Sequence, residues 1–158
     1  MLRVIKKPDF SKKTVKLLPE LVPATAWCSN LRSELSKERW DELRRFVYRR
    51  AWYRCEICGG KGEKHPVECH EVWEYDLKTG VQKLGGLVAL CPACHECKHV
   101  GLAEVNGRIE AVIGHMGRVN GMDKKEVGVI IAEAARVWRE RSERGWKLDL
   151  SHLETLDC

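Results

Sequence analysis

The sequence predicts an α+β fold: a small, mainly helical domain built around one β-hairpin, the helix that follows it and a zinc knuckle. Two CxxC pairs, Cys55/Cys58 and Cys91/Cys94, frame a stretch that alternates apolar and polar residues as a strand does. Paired CxxC motifs are typical of a structural zinc site. On both sides of this stretch, apolar residues recur at helical spacing.

The length of 158 residues suits one compact domain with a modest core. Within it we distinguish a basic N-terminal arm and helix (1–54), a metal-binding core (55–105) and a C-terminal helical cover (106–158). Residues 1–54 hold 14 Lys and Arg against 6 Asp and Glu, whereas residues 55–158 hold 14 against 17. A basic segment beside metal ligands suggests a polyanionic partner, because neutralising phosphates releases counterions. A solvated lysine-rich arm is the alternative.

The sequence also indicates the cellular compartment of the protein. The sequence has no apolar run long enough to span a membrane, and the lysine-bearing start lacks the apolar middle of a signal peptide. We therefore expect a cytoplasmic protein without a membrane partner; its oligomeric state is open. In a reducing compartment, CxxC pairs are more often zinc ligands or redox centres than disulfides. Cys28 and Cys158 are expected to be free thiols.

The N-terminal third begins with an extended arm over residues 1–22, which could include a short strand at Val15–Leu18. A short helix is predicted within Pro23–Leu35, with Thr25 as its cap. Its core residues follow at four-residue spacing: Trp27, Leu31 and Leu35.

A longer helix is predicted from the N-cap Ser36 to about Tyr53. Its buried stripe consists of Trp40, Leu43, Val47 and Ala51. Arginines and aromatic residues surround the stripe, and such a mixture can contact phosphates and stack on bases, although aromatic residues at helical spacing are often core. The candidate nucleic-acid contacts are Arg45, Arg49 and Arg50, with Lys98 on a later helix.

The central stretch starts with the Cys55/Cys58 pair, after which Gly59-Gly60 allows the tight turn of a zinc knuckle. Val67–Tyr75 and Val81–Leu84 are predicted to pair as a hairpin that Gly85-Gly86 ends. Pro92 suits the first turn of a helix that carries Cys94 to about Leu102. This helix would place His95 and His99 on one face.

The C-terminal third is predicted to be helical. Arg108–Val119 forms one helix, which Asn120-Gly121 ends. Asp123 caps a second, long helix that reaches about Arg144. The alternating residues of Trp146–Leu150 indicate a short edge strand.

Four thiolates from the two CxxC pairs can bind one structural Zn²⁺ ion: Cys55, Cys58, Cys91 and Cys94. Cys94 and Cys97 also form a CxxC pair, so Cys97 could displace Cys91, and spacing favours neither. A redox role is the weaker rival, because neither pair lies at the strand-to-helix junction of a βαβ unit.

Three histidines are not needed by that zinc ion. His70 lies on the hairpin, and His95 and His99 lie on the following helix. Two imidazoles can hold a divalent ion while the third takes a proton from water, which is a hydrolytic arrangement. Alternatively, His95 or His99 replaces a cysteine or braces the knuckle. The other three histidines are interpreted as surface or core residues: His65, His115 and His152.

The chain resembles the HNH endonuclease family, whose ββα-metal motif is often framed by a four-cysteine zinc site. The matching pieces are Cys55–Gly59, Glu68–Val72, Leu87–His95 and Lys98-His99. The resemblance favours Cys91 over Cys97 as a zinc ligand. It implies that His70 is the general base, that His95 lies near the catalytic metal and that His99 binds it. It also implies hydrolysis of DNA assisted by Mg²⁺, Mn²⁺ or a similar ion.

Two positions differ from the family pattern. Where the family commonly has a metal-binding Asp or His, this chain has Cys69, a soft ligand. Glu68 is expected on the face of His70, so the remaining ligand could be Glu68, Cys69 or Asp76. The family's middle Asn corresponds to Gly86, for which Gln82 or Asp76 could substitute. The alternative to an endonuclease is a non-catalytic zinc module that binds nucleic acid or protein.

Overall fold

The computed structural model describes residues 15–156, so the predictions for residues 1–14 and for Cys158 lie outside the described residues. The described part is α+β, as predicted, with six α-helices and one three-stranded sheet. In chain order the elements are α1 Leu31–Glu34, α2 Lys37–Arg50, β1 Glu68–Asp76, β2 Val81–Leu90, α3 Pro92–Lys98, α4 Val100–Val105, α5 Ile109–Asn120, α6 Lys124–Ser142 and β3 Lys147–Asp149, with 3-10 turns at Ala24–Ala26 and Ser151–Thr155. No helix among them is long and apolar enough to cross a membrane.

Before α2, the chain departs from the prediction. The single helix predicted within Pro23–Leu35 is divided into a 3-10 turn and α1. Asn30 caps α1 instead of Thr25, whose hydroxyl donates to the Arg144 carbonyl at 2.6 Å. The prediction of Trp27 as core is wrong, because 63% of it is exposed. Residues 15–18 form no strand.

Helix α2 follows the predicted pattern. The Ser36 hydroxyl accepts a hydrogen bond from the Arg39 N–H at 3.2 Å and so caps the helix. Leu43 and Val47 are fully buried against the hairpin, and Trp40 and Ala51 pack beside them. The helix ends at Arg50, a few residues earlier than predicted.

The hairpin is longer than predicted. β1 and β2 pair antiparallel along their whole lengths, so the prediction that Gly85-Gly86 ends the hairpin is wrong. Val72 faces Gly86 and Trp73 faces Leu84, which leaves Gly85 as the extra residue of a β-bulge. The exposed Glu74 side chain lies over Gly85, at 2.8 Å from the place that a Cβ atom would occupy. β3 pairs parallel with the start of β2, as an edge strand.

The helix that was predicted to begin at Pro92 and reach about Leu102 is divided at His99. Pro92 begins α3 as predicted, but the helix stops at Lys98 and α4 starts at Val100. The His99 N–H is shared between the His95 and Glu96 carbonyls at 3.3 and 3.2 Å, a bifurcated arrangement common at helix ends. His99 therefore lies at the junction of two helices.

The C-terminal helices agree with the prediction. Gly121, at φ 63°, ends α5 in the left-handed conformation. Asp123 and Glu126 form a reciprocal capping box at the start of α6. The buried apolar residues of α5 and α6 cover one core beneath α3, while a second core fills the space between α2 and the hairpin.

Asn120 fastens the N-terminal segment to this helical core. Only 5% of Asn120 is exposed, and its Oδ1 atom accepts hydrogen bonds from the backbone N–H groups of Lys16 and Leu17, both at 2.9 Å. Its Nδ2 atom donates to the Leu17 carbonyl at 2.8 Å. A few residues later, the Glu20 N–H donates to the Lys98 carbonyl at 2.9 Å. The segment is thereby held across α3, with Glu20 beside the hairpin.

We expect Asn120→Ala to lower the free energy of unfolding by about 2–4 kcal/mol, because it leaves buried backbone groups without partners. Urea denaturation measures this loss. Asn106→Ala, at an exposed position, is the control and should change stability by less than about 0.5 kcal/mol. Equal stability of the two variants would contradict the anchoring role.

Candidate metal centres

Four cysteines converge at one end of the hairpin. The sulfur atoms of Cys55, Cys58, Cys91 and Cys94 all lie within 4.8 Å of one another. The Cys58 and Cys91 sulfurs are 3.7 Å apart. Four sulfurs at about 2.3 Å from a tetrahedral zinc ion are separated by roughly 3.8 Å. The four cysteines are close enough to bind a zinc ion together.

The local backbone favours thiolates in this cluster. Gly59, at φ 74°, makes the knuckle turn, and the Gly60 N–H lies 3.4 Å from the Cys58 sulfur. A hydrogen bond from the Cys94 thiol lowers the pKa of Cys55 to about 4. Burial raises the pKa of Cys91 to about 11. The Cys55 thiolate is thus stabilised by its neighbours, whereas Cys91 would need the positive charge of a metal ion to ionise.

Cys97 lies outside this group. It is fully buried in the helical core, where its thiol donates to the Val112 carbonyl at 3.7 Å. Burial raises the pKa of Cys97 to about 12, so the thiol stays protonated. Of the two alternatives that spacing left open, the structure places Cys91 with the other three sulfurs.

His115 is a neighbour of the cluster that the sequence did not indicate. It lies on α5, and its Nε2 atom is 3.2 Å from the Cys94 sulfur. The packing of α5 against α3 makes this contact between residues 21 positions apart. A ring N–H directed at a ligand sulfur orients it and stabilises its charge.

Removing zinc should lower the midpoint of thermal unfolding, because the ion would join the knuckle to α3. Cys94→Ser should have a low midpoint that a chelator does not lower further. Cys97→Ser is the matched control and should keep the chelator-dependent shift. The measurement is thermal unfolding of each zinc-loaded protein with and without chelator. An unchanged midpoint of the wild-type protein after verified zinc removal would contradict a structural zinc ion.

Three histidines form a second group. Ring nitrogens of His70, His95 and His99 lie within 4.8 Å of one another, and the Nε2 atoms of His95 and His99 are 3.2 Å apart. Two nitrogens that bind one ion at about 2.0–2.1 Å are separated by roughly 2.8–3.4 Å, from octahedral to tetrahedral geometry. Burial lowers the pKa of His99 to about 4, so its ring is neutral, the form that binds metals. The spacing of the two nitrogens and the neutral ring of His99 fit a divalent ion.

Glu68 orients His95. Its Oε2 atom lies 2.5 Å from His95 Nδ1, and its Oε1 atom lies 2.7 Å from His65 Nε2. The hydrogen bond with His95 lowers the pKa of Glu68 to about 2, although burial opposes the shift. An ionised carboxylate on Nδ1 fixes the proton there and turns the Nε2 lone pair towards His99. Glu68 shares the side of His70, as expected, but both its oxygens contact imidazoles.

Glu20 orients His70, and sequence reasoning did not find it. Its Oε2 atom lies 2.7 Å from His70 Nε2, and Lys98 donates to Oε1 at 2.6 Å. Burial alone would raise the pKa of Glu20, but the His70 hydrogen bond and the Lys98 charge lower it to about 2. His70 itself is only 4% exposed. The contact joins residues 50 positions apart, which no local pattern reveals.

The remaining candidate ligands lie elsewhere. Cys69 points into the core beneath α2, and burial raises the pKa of its thiol to about 12. Asp76 accepts the Lys78 N–H at 2.8 Å in the hairpin turn. Gln82 is fully buried and donates to the Ser29 carbonyl at 3.4 Å. Neither Cys69 nor Asp76 belongs to the histidine group.

The candidate nucleic-acid contacts are separated by the fold. Arg45 and Arg49 are exposed on α2. Arg50 instead binds Glu56 at 2.9 Å and the Leu87 carbonyl at 2.8 Å, which ties α2 to β2. Lys98 is 6% exposed and is paired with Glu20.

A cleft of about 360 Å³ adjoins the histidines. Residues 18–22, the β1 strand and α6 form its walls, and His70 and His99 line it. Most other lining side chains are apolar, including Trp73 and Trp138. The cleft therefore borders two of the three histidines of the group.

The chain matches no protein-family model, no curated protein and no solved structure. The functional conclusion therefore depends on the chemistry of the two side-chain groups. One is a set of thiols suited to zinc, and the other is a set of imidazoles held by carboxylates.

Proposed function

We propose that this chain is a metal-dependent, HNH-type endonuclease that hydrolyses DNA phosphodiester bonds and is stabilised by a four-cysteine zinc centre. The observation that carries the proposal is the convergence of His70, His95 and His99 beside the four cysteines. Two of these imidazoles each contact a separate ionised carboxylate. Paired imidazoles and a third, oriented imidazole are the parts that metal-assisted hydrolysis requires.

His95 and His99 would hold the divalent ion. When bound, such an ion polarises a phosphoryl oxygen and stabilises the charge that develops on the leaving oxygen. Imidazole ligands suit Mn²⁺, Ni²⁺ or Zn²⁺ better than Mg²⁺, which prefers oxygen ligands. Glu68 keeps the Nδ1 proton of His95 in place, which makes Nε2 the ligand atom.

His70 is the proposed general base. Because its Nε2 atom is engaged by Glu20, the Nδ1 atom is left to accept a proton from water. The Glu20 carboxylate stabilises the imidazolium that results, as the aspartate of a catalytic triad does. Lys98 keeps Glu20 ionised and fixed, so Lys98, Glu20 and His70 form one chain of hydrogen bonds.

A non-catalytic zinc module is the second candidate. The low exposure of His70, at 4%, favours it, since a base must reach water. So does Gly86, which offers no side chain at the position of the family's Asn. This candidate binds DNA or protein without turnover.

Plasmid cleavage separates the two candidates. The zinc-loaded protein is assayed with Mg²⁺, Mn²⁺, Ni²⁺ and added Zn²⁺, and we expect cleavage with at least one ion. His70→Ala should reduce the rate at least about 100-fold, because general-base catalysis contributes about 10²–10⁴-fold.

His152→Ala, which changes a histidine outside both groups, is the control and should retain the wild-type rate. Equal cleavage by wild-type protein and His70→Ala would exclude His70 as the base. DNA binding without cleavage in any ion would favour the non-catalytic module.

A further inference from the structure

Helix α2 ends in an uncommon conformation. Trp52 and Tyr53 are consecutive left-handed residues, with φ 54° and 55°. The Tyr53 N–H donates to the Tyr48 carbonyl at 2.9 Å, and the Trp52 N–H donates to the Arg49 carbonyl at 3.0 Å. These bonds define a Schellman motif in which Trp52 occupies the position that glycine usually takes. A Cβ atom is disfavoured there, so tryptophan strains the backbone.

Packing does not explain this choice of residue. The Trp52 side chain is 84% exposed, the largest exposure among the large apolar residues that the structure describes. An exposed tryptophan gains little from burial, and the left-handed backbone favours glycine at this position. Strained residues that do not serve packing are concentrated at binding and catalytic sites.

The surroundings of Trp52 are basic. Residues 43–54 contain five arginines and no acidic residue. Arg44 is paired with Asp41 and Arg50 with Glu56. Neither Arg45 nor Arg49 forms a salt bridge with a carboxylate among residues 15–156. The two arginines lie four residues apart on one face of α2, and Trp52 follows the end of this helix, three residues after Arg49. The exposed indole thus follows a helix end that carries two exposed arginines.

We propose that Trp52 stacks on an unpaired base of DNA while Arg45 and Arg49 contact the flanking phosphates. Every base offers a π-face to an indole, and arginines bind phosphates through charge and hydrogen bonds. The choice of DNA rests on the proposed function, and the stacking extends it to substrates with single-stranded or bulged nucleotides. A duplex without unpaired bases offers no such face, so Trp52 contributes little to duplex binding.

The test is the dissociation constant of the zinc-loaded protein, without added divalent ion, for fluorescent oligo(dT) and for a fully paired duplex. Trp52→Gly should weaken binding to oligo(dT) about ten-fold and leave duplex binding nearly unchanged. It should also raise the midpoint of thermal unfolding, because glycine relieves the left-handed strain. Trp52→Tyr should retain most of the affinity.

Trp27→Ala is the matched control, since Trp27 is also exposed, at 63%, but does not lie on α2 or at its end. It should not change the affinity for oligo(dT). Unchanged affinity of Trp52→Gly for oligo(dT) would overturn the stacking role, and a lowered unfolding midpoint would contradict the backbone strain from which it is argued. If Trp52→Gly binds as wild type while plasmid cleavage persists, the stacking role fails and the proposed function stands. If Trp52→Gly loses affinity for oligo(dT) but none of the ions supports plasmid cleavage by the wild type, the stacking role stands and the proposed function fails.

Discussion

The convergence of four cysteine sulfurs is the constraint on which the centre of this molecule depends. Two of them follow α2 and two begin α3, so the cluster joins both ends of the hairpin insert. Cys55, Cys91 and Cys94 belong to the helical core, while Arg50 and Glu56 fasten the adjoining backbone to β2. A zinc ion there would fix the angle between the hairpin and α3, and that angle brings His70 close to His95 and His99. The four cysteines would thus help to position the three histidines, although the two clusters share no ligand.

Two half-buried carboxylates hold the imidazoles in different ways. Glu68 holds His95 within the group, and Glu20 holds His70 from a segment that Asn120 anchors. The pKa of each carboxyl is lowered to about 2, so both stay ionised over the whole range in which histidine titrates. A fixed negative charge on one ring nitrogen makes the other nitrogen a better ligand or base. This division of roles is why the proposed site needs residues far from the CxxC pairs.

Local patterns predicted much of the fold, and contacts across the chain account for most of what they missed. The stripe of α2 and the N-terminal cap of α6 follow from short-range spacing, and the thiol cluster follows from the pairing of two CxxC motifs. Glu20 and His115 were missed because each meets its partner only through tertiary packing. Gly85-Gly86 indicated a stop, but a bulge absorbed the extra residue and the strands continued. Trp27 had core spacing on a helix that the structure divides, so its side chain faces solvent.

The central claim is that one chain holds two chemically distinct metal centres. X-ray absorption spectroscopy of the zinc-saturated protein tests it most directly, together with the measured zinc content. We predict two zinc ions per chain, with a sulfur shell at about 2.3 Å and a nitrogen and oxygen shell at about 2.0–2.1 Å. In His95→Ala/His99→Ala protein, one ion and the sulfur shell should remain. A single ion with both sulfur and nitrogen ligands in the wild-type protein, or no sulfur shell, would contradict the account.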